Sequence, residues 1–423
     1  MTKLLTIKEA SKWASKHLKK DVTTSNISYL IQYGKVSRIG DNGTTQVLRE
    51  ELAEYYGNLN NKNEQKWKDK FGDDLNWALS FDQYKESETT KHVNRLHPYK
   101  GKFIPQLVEY FLDDHVDEFK KNVFFKKDDI ILDPFCGSGT TLVQSNELGI
   151  NGIGIDVSVF NTKISNSKIN KYDFALLNKT AEAITKKLKK FLIDKKNIEF
   201  ENHLLDELKG FNSEHFPSPD FKHKIYDKGY NDKEFGVARE KDFLPIYNKL
   251  VKKYKIKLKQ DKGNTFLDKW FTQVIREEID FAFKEIESIK GDNTKDILRI
   301  ILSRTIRSCR ATTHSDLATL FEPVLAPYYC RKHGKICKPL FSILSWWKRY
   351  STDTIKRLKE FDKLKTNTSQ ICLTGDSRKI NIFKELKTKL PEFGKLTKDK
   401  KIDGIFSSPP YVGLIDYHEQ HAY

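Results

Sequence analysis

Ile130-Ile-Leu-Asp-Pro-Phe-Cys-Gly-Ser-Gly-Thr-Thr141 is the stretch on which the reading of this chain turns. Ile130, Ile131 and Leu132 predict a short buried strand. Asp133 caps its end, and a turn carrying Gly137 and Gly139 follows. Thr140 and Thr141 lead into Leu142-Val-Gln-Ser-Asn-Glu-Leu148, whose apolar spacing predicts a helix. Strand, glycine turn and helix in this order is how an open α/β sheet receives a nucleotide-like ligand at its carboxyl edge. Glycine is needed where the backbone approaches a ligand, because a Cβ would hold it away.

The glycine spacing is neither the G-x-G-x-x-G of a dinucleotide fold nor the G-x-x-x-x-G-K-[ST] of a phosphate loop. Neither a pyrophosphate nor a γ-phosphate is therefore the natural ligand. Downstream, Gly152-Ile-Gly-Ile-Asp156 predicts a second strand ending in an acid, where such a sheet places a ribose-binding carboxylate. Gln370-Ile-Cys-Leu-Thr-Gly-Asp376 predicts a third strand, again ending in an acid. Lys401-Ile-Asp-Gly-Ile-Phe406 predicts a fourth, which feeds into Ser407-Ser-Pro-Pro-Tyr411.

Asp133-Pro-Phe-Cys-Gly-Ser-Gly-Thr-Thr141 resembles motif I of the DNA amino-methyltransferases, which use S-adenosylmethionine. Ser408-Pro-Pro-Tyr411 resembles their catalytic motif IV, in the serine form typical of enzymes that methylate cytosine N4. The resemblance runs from residue 90 to the end, apart from a long insertion. It implies a Rossmann-like methyltransferase sheet in an α/β fold, with the cofactor held by Asp133, Phe135, Gly137, Gly139 and Thr140. Asp156 would take the ribose, and Asp376, placed like motif III, the adenine. His97-Pro-Tyr-Lys-Gly-Lys-Phe-Ile-Pro105 stands where the family has motif X, which folds over the methionine end of the cofactor; Phe103 would pack there.

The chemistry that the resemblance implies is methyl transfer to an exocyclic amine. That amine is a poor nucleophile, because its lone pair is delocalised into the ring. An acceptor pair at the amine hydrogens releases the lone pair, and Ser408 Oγ with the Pro409 carbonyl are the family's candidates. Pro409 and Pro410 fix the backbone there, and Tyr411 would stack on a flipped base. No metal or covalent intermediate is required. Cytosine-C5 transfer needs a cysteine nucleophile, usually after a proline, and the chain has no Pro-Cys dipeptide; Cys136 reads as a small loop residue. Two alternatives stay open: another amine (adenine N6 in DNA or guanine N2 in RNA), or an inactive truncated DNA-binding subunit.

The chain has 423 residues, with 75 Lys and Arg against 58 Asp and Glu, a formal net charge of +17. That excess favours a polyanionic partner, double-stranded DNA first. The resemblance adds a cognate restriction endonuclease as a possible partner. No apolar run is long enough to span a membrane and no signal-peptide profile opens the chain, so a cytoplasmic protein is expected.

Five segments are expected. Residues 1–56 resemble a small winged helix-turn-helix domain: a helix from Leu5 to Ala14 with Thr6 as N-cap, a second from Thr24 to Tyr33, then a hairpin wing of Lys35–Ile39, an Asp41-Asn-Gly43 turn and Thr45–Leu48. Residues 57–89 read as a polar linker, and 90–172 as the cofactor half of the methyltransferase fold. Residues 173–369 form a mostly helical insertion, the candidate target-recognition region, with helices predicted over 174–193, 266–289 and 294–310. Residues 370–423 return to the sheet with strands three and four and the catalytic motif. Within the insertion, Cys330, His333 and Cys337 fall within eight residues, with Cys309 and His314 upstream. Such ligands can hold a structural zinc, but buried cysteines near a helix end explain them more simply and no metal is expected. Trp346-Trp347-Lys-Arg-Tyr350 suits either a nucleic-acid surface or a helix that packs its tryptophans inward.

The family's sheet has seven strands, and the sequence shows four before Tyr423. An incomplete sheet is therefore expected, with an open edge at strand four: either part of a longer or split enzyme, completed in the split case by a second polypeptide, or a truncated relic.

Overall fold

The computed structural model describes residues 4–18, 22–32, 35–40, 45–56, 81, 84, 88–99, 101–226, 230–260, 265–314 and 320–409. Its strands are β1 (Leu4–Thr6), β2 (Gln46–Leu48), β3 (Ile130–Asp133), β4 (Asn151–Asp156), β5 (Tyr328–Cys330), β6 (Lys335–Cys337), β7 (Gln370–Thr374) and β8 (Gly404–Ile405). The chain divides into two compact units. One comprises Met1–Trp77, Lys196–Lys259 and Ala311–Pro339; the other comprises Ala78–Lys195, Gln260–Arg310 and Leu340–Tyr423. The 173–369 stretch thus contributes to both.

The second unit is built on a parallel sheet in the order β7-β4-β3-β8. Successive residues of a strand face opposite sides, and β3 shows why both sides are covered. Ile130 packs with Ile153, Ile155, Ile371 and Leu373 under Leu386 and Phe393, which come from the helices Ile382–Lys389 and Pro391–Lys400. Ile131 packs the other way, against Val108 and Leu112 of the helix Pro105–Leu112 and against Phe125. A parallel sheet buried on both faces reads as continuous apolar sequence, as Ile130-Ile-Leu does. β4 alternates Ile with Gly because the helix Thr140–Glu147 and the glycine turn come very close. A Cβ on Gly152 would lie 2.9 Å from Leu142 Cδ2, and one on Gly154 would overlap the Cys136 sulfur.

Strand four is shorter than the predicted 401–406. The Asp403 carboxylate accepts the Ile130 N–H at 2.8 Å while its own amide donates to Ile130 O at 2.9 Å. A side chain thus closes the ladder there, and only Gly404–Ile405 pairs as strand. Within the described residues β8 is an edge strand. β3 lies between β4 and β8, so the chain leaves β3 toward one side and returns on the other. That reversal opens a crevice at the carboxyl ends of the strands.

The predicted helix over 174–193 is present as Phe174–Asp194 and that over 294–310 as Asp292–Ser308. The predicted 266–289 helix is two: Phe266–Trp270 and Gln273–Glu287. Thr272 separates them, its extended backbone and side chain capping the second by accepting the Ile275 N–H. Trp347 is fully buried and donates to Thr185 Oγ1 at 3.0 Å, whereas Trp346 stacks on Tyr350 beneath Arg349. Trp347 thus packs inward, whereas Trp346 does not.

In the first unit, Thr6 and Glu9 form a capping box at the start of the helix Ile7–His17. The three residues before it are strand β1, antiparallel to β2. The second helix is Thr24–Gln32. Of the predicted wing, a single bridge joins Ile39 to Gln46; residues 41–44 lie outside the described ones, as does most of 57–89. Leu5, Ala10, Ala14, Ile27, Leu30, Val47 and Leu52 form this module's core. Farther along the chain, the β5–β6 hairpin packs on the helices Asn197–His215 and Asp232–Tyr254. Among the described residues no helix is long and apolar enough to cross a membrane.

Candidate active site

The turn after β3 is held from several sides. The Cys136 N–H donates to Ile155 O and the Gly139 N–H to Cys136 O, each at 2.9 Å. Ser165 Oγ donates to Gly137 O at 2.9 Å, and the buried Lys168 ammonium donates to Ser138 O. Gly139 sits at φ +79°, a left-handed conformation that lets the helix Thr140–Glu147 start at once. A Cβ there would fall 2.8 Å from Ser165 Oγ.

This turn forms one wall of a cavity of about 600 Å³, within the range of small-molecule sites. Phe103, Asp133, Phe135, Gly137, Thr140, Asp156, Asp376 and Ser408 all line it. Gly139 shapes the turn from behind. Pro409 is exposed and outside the lining, while Pro410 and Tyr411 lie outside the described residues.

The acids differ in their surroundings. Asp156 accepts the Gly137 N–H at 2.9 Å, the Ser158 N–H at 2.8 Å and Asn161 Nδ2 at 3.1 Å, so it ties the end of β4 to the glycine turn. Asp133 is buried, which raises its pKa above the ordinary carboxylate value; hydrogen bonds from Ser407, Thr141 and the Phe135 amide oppose the rise. The Ser407 bond is 2.6 Å long and joins the segment after β8 to the end of β3, where the glycine turn begins. Asp376 forms a two-point ion pair with Arg378 at 2.8 and 3.0 Å, which holds its carboxyl well below the ordinary range. Phe103 packs on Phe406, ring centres 5.3 Å apart.

Tyr99, Lys102, Asn161 and Arg378 also line the cavity, though nothing in their spacing singled them out. The position of Tyr99 and Lys102 in the His97–Pro105 segment, where Phe103 alone stood out, was the one available signal. Cys136 is buried between Leu142 and Cys372. Its hydrogen bond with Cys372 and its burial keep the thiol well above the ordinary range, which unsuits it as a nucleophile.

Cys330, His333 and Cys337 converge with His314, their ligand atoms all within 4.8 Å of one another. Cys309, the other sequence candidate, is buried and does not belong to this group.

The family model of the N6/N4 methyltransferases, described as DNA methylase, matches residues 7–167. The chain is also 44% identical over 428 aligned residues to Type II methyltransferase M.MjaII of Methanocaldococcus jannaschii, an alignment that covers 100% of this chain and 78% of the relative. No solved structure matches the chain significantly. With that identity along its whole length, the chain belongs to the N6/N4 DNA methylase family.

Proposed function

We propose that this chain transfers a methyl group from S-adenosylmethionine to the exocyclic N4 of cytosine in a specific DNA sequence, and so protects DNA from a cognate restriction endonuclease. One observation carries the reading. Ser408 lines the same cavity as the glycine turn and Asp156, and its neighbour Ser407 donates to Asp133 in that turn. The catalytic segment and the cofactor loop are thereby one hydrogen-bonded unit.

The cavity fits such a cofactor. The buried hydroxyls of Ser138 and Thr140 have no hydrogen-bond partner among the described residues, and both residues line the cavity. Buried polar groups are seldom left unpaired, so these two suit a polar ligand. Asp156 suits a ribose diol, and Asp376 with Arg378 the adenine edge. When bound, S-adenosylmethionine supplies a methyl group on a sulfonium, a strong leaving group.

The residues of the chain then have three tasks. The glycine turn and Asp156 fix the donor. Ser408 Oγ and the Pro409 carbonyl accept the hydrogens of the target amine and hold its lone pair toward the methyl group, and positioning for in-line transfer does much of the work. Tyr411 stacks on the extruded base. DNA affinity comes from the positive charge of the chain, with the module of residues 1–56 and the 173–369 stretch as recognition elements that read base edges through Arg, Lys, Asn and Gln.

Serine before Pro-Pro-Tyr favours cytosine N4 over adenine N6. The test is transfer of radiolabelled methyl from S-adenosylmethionine to duplex DNA and to RNA, with Ser408→Ala alongside. Labelled DNA, with the rate strongly reduced in the variant at unchanged cofactor affinity, supports the reading. Label in RNA alone, or full activity of Ser408→Ala, overturns it.

A further inference from the structure

The hairpin β5–β6 turns tightly. The amides of His333 and Gly334 donate to Cys330 O at 3.0 and 2.7 Å, and Gly334 adopts φ +60°. Its strand register pairs Cys330 with Lys335 and Tyr328 with Cys337. The two thiols therefore lie on one side of the hairpin but are not directly opposite. His333 rides on the turn between them, its Nδ1 3.4 Å from each sulfur. His314, which follows the helix Asp292–Ser308, brings its Nδ1 to 3.8 Å from Cys330 Sγ. The two imidazole rings meet nearly edge to face, with centres 4.4 Å apart.

We propose that His314, Cys330, His333 and Cys337 bind a zinc ion in a closed, structural site. Zinc takes sulfur at about 2.3 Å and nitrogen at about 2.0–2.1 Å in tetrahedral sites, which places neighbouring ligand atoms about 3.3–3.8 Å apart. The three separations of 3.4, 3.4 and 3.8 Å fall in that range. Two sulfurs and two nitrogens are also the donor set that this ion prefers. Four protein ligands leave no open position, so the site has no catalytic water and takes no part in methyl transfer.

The scaffold around the ligands is already in place. Lys222, buried beneath the turn, donates to the carbonyls of Arg331 and Lys332. Asn212 pairs with both backbone groups of Ile336, at 2.9 and 3.0 Å. The Tyr328 hydroxyl accepts the His314 backbone N–H at 2.9 Å, a bond that ligation of the ring leaves intact, while its 2.8 Å contact with His314 Nδ1 would give way to the metal. Two three-residue strands make a weak hairpin by themselves. An ion that joins both strands, the turn and the His314 segment supplies the missing cross-link.

The test uses the full chain purified without chelators. Zinc content is measured by plasma mass spectrometry, and the ion is then exchanged for cobalt(II). One equivalent of zinc per chain, and a cobalt form with both tetrahedral d–d bands and sulfur-to-cobalt charge-transfer bands, are expected. The wild-type spectrum needs no variant, so it stands even where a ligand substitution prevents folding. Cys330→Ser and Cys337→Ser should each lower zinc retention at least tenfold, while Cys309→Ser should retain the full equivalent. A chain that takes up neither zinc nor cobalt, a cobalt spectrum without charge-transfer bands, a Cys330–Cys337 disulfide in the native protein, or metal lost equally in Cys309→Ser would each overturn the assignment.

Discussion

Asp156→Asn is the most informative single substitution in the proposed cofactor cavity, because it nearly preserves volume while it removes the charge. Among the donors to the carboxylate are the Gly137 and Ser158 amides and Asn161 Nδ2. An asparagine oxygen can keep the Ser158 and Asn161 bonds, but its NH₂ then faces the Gly137 N–H. Leaving a buried donor unpaired costs about 1–3 kcal/mol of stability. Binding suffers separately. A charge-assisted bond to a ribose hydroxyl is worth about 1.5–3 kcal/mol, which at 1.4 kcal/mol per tenfold is about a 10- to 150-fold loss of affinity for each bond lost. Isothermal titration with S-adenosylmethionine reads the second effect and the thermal midpoint reads the first. Ser165→Ala is the control: it removes the bond to Gly137 O from a residue that does not line the cavity and keeps the carboxylate, so its midpoint should fall without a comparable loss of affinity. A folded Asp156→Asn protein that binds the cofactor as tightly as the wild type would refute the ribose assignment.

Two further outcomes follow from the local geometry. Gly139→Ala adds a Cβ in a left-handed conformation, 2.8 Å from Ser165 Oγ; a loss of at least about 1–2 kcal/mol in denaturant unfolding is expected from the backbone strain. His97 is held neutral by burial and by the nearby Arg307, Lys168 and Arg304, its pKa lowered from 6.5 to about 4 even though the Pro98 carbonyl favours the charged form. Below pH 6.5 the unfolded chain takes up a proton that the folded chain refuses, so this contribution is present above 6.5 and is lost as the pH falls toward 4. Thermal midpoints measured across that window should fall less steeply in His97→Gln than in the wild type.

The part of the candidate site around the glycine turn was readable because its logic is local. A buried parallel strand announces itself as Ile130-Ile-Leu, and the turn needs glycine where a side chain would collide. The same close packing explains Gly152 and Gly154, which the sequence showed only as part of a strand. Interactions closed by the fold were not readable in this way. The Asp403 carboxylate caps the β3 ladder across 273 positions of chain. Arg378 reaches the site only because the loop after β7 turns back on Asp376. Leu5, read as the first residue of the helix, belongs instead to the strand that pairs with β2, since Thr6 both ends that strand and caps the helix. The sequence placed Cys309 and His314 alike upstream of the hairpin cysteines; only the fold shows that His314 joins them and Cys309 does not.

The central claim is that Ser408-Pro-Pro-Tyr411 directs the methyl group to cytosine N4. Mass spectrometry of nucleosides, from duplex DNA incubated with this chain and S-adenosylmethionine, tests it most directly. N4-methylcytosine is expected, reduced to background by Ser408→Ala. N6-methyladenine in its place, or 5-methylcytosine, would contradict it.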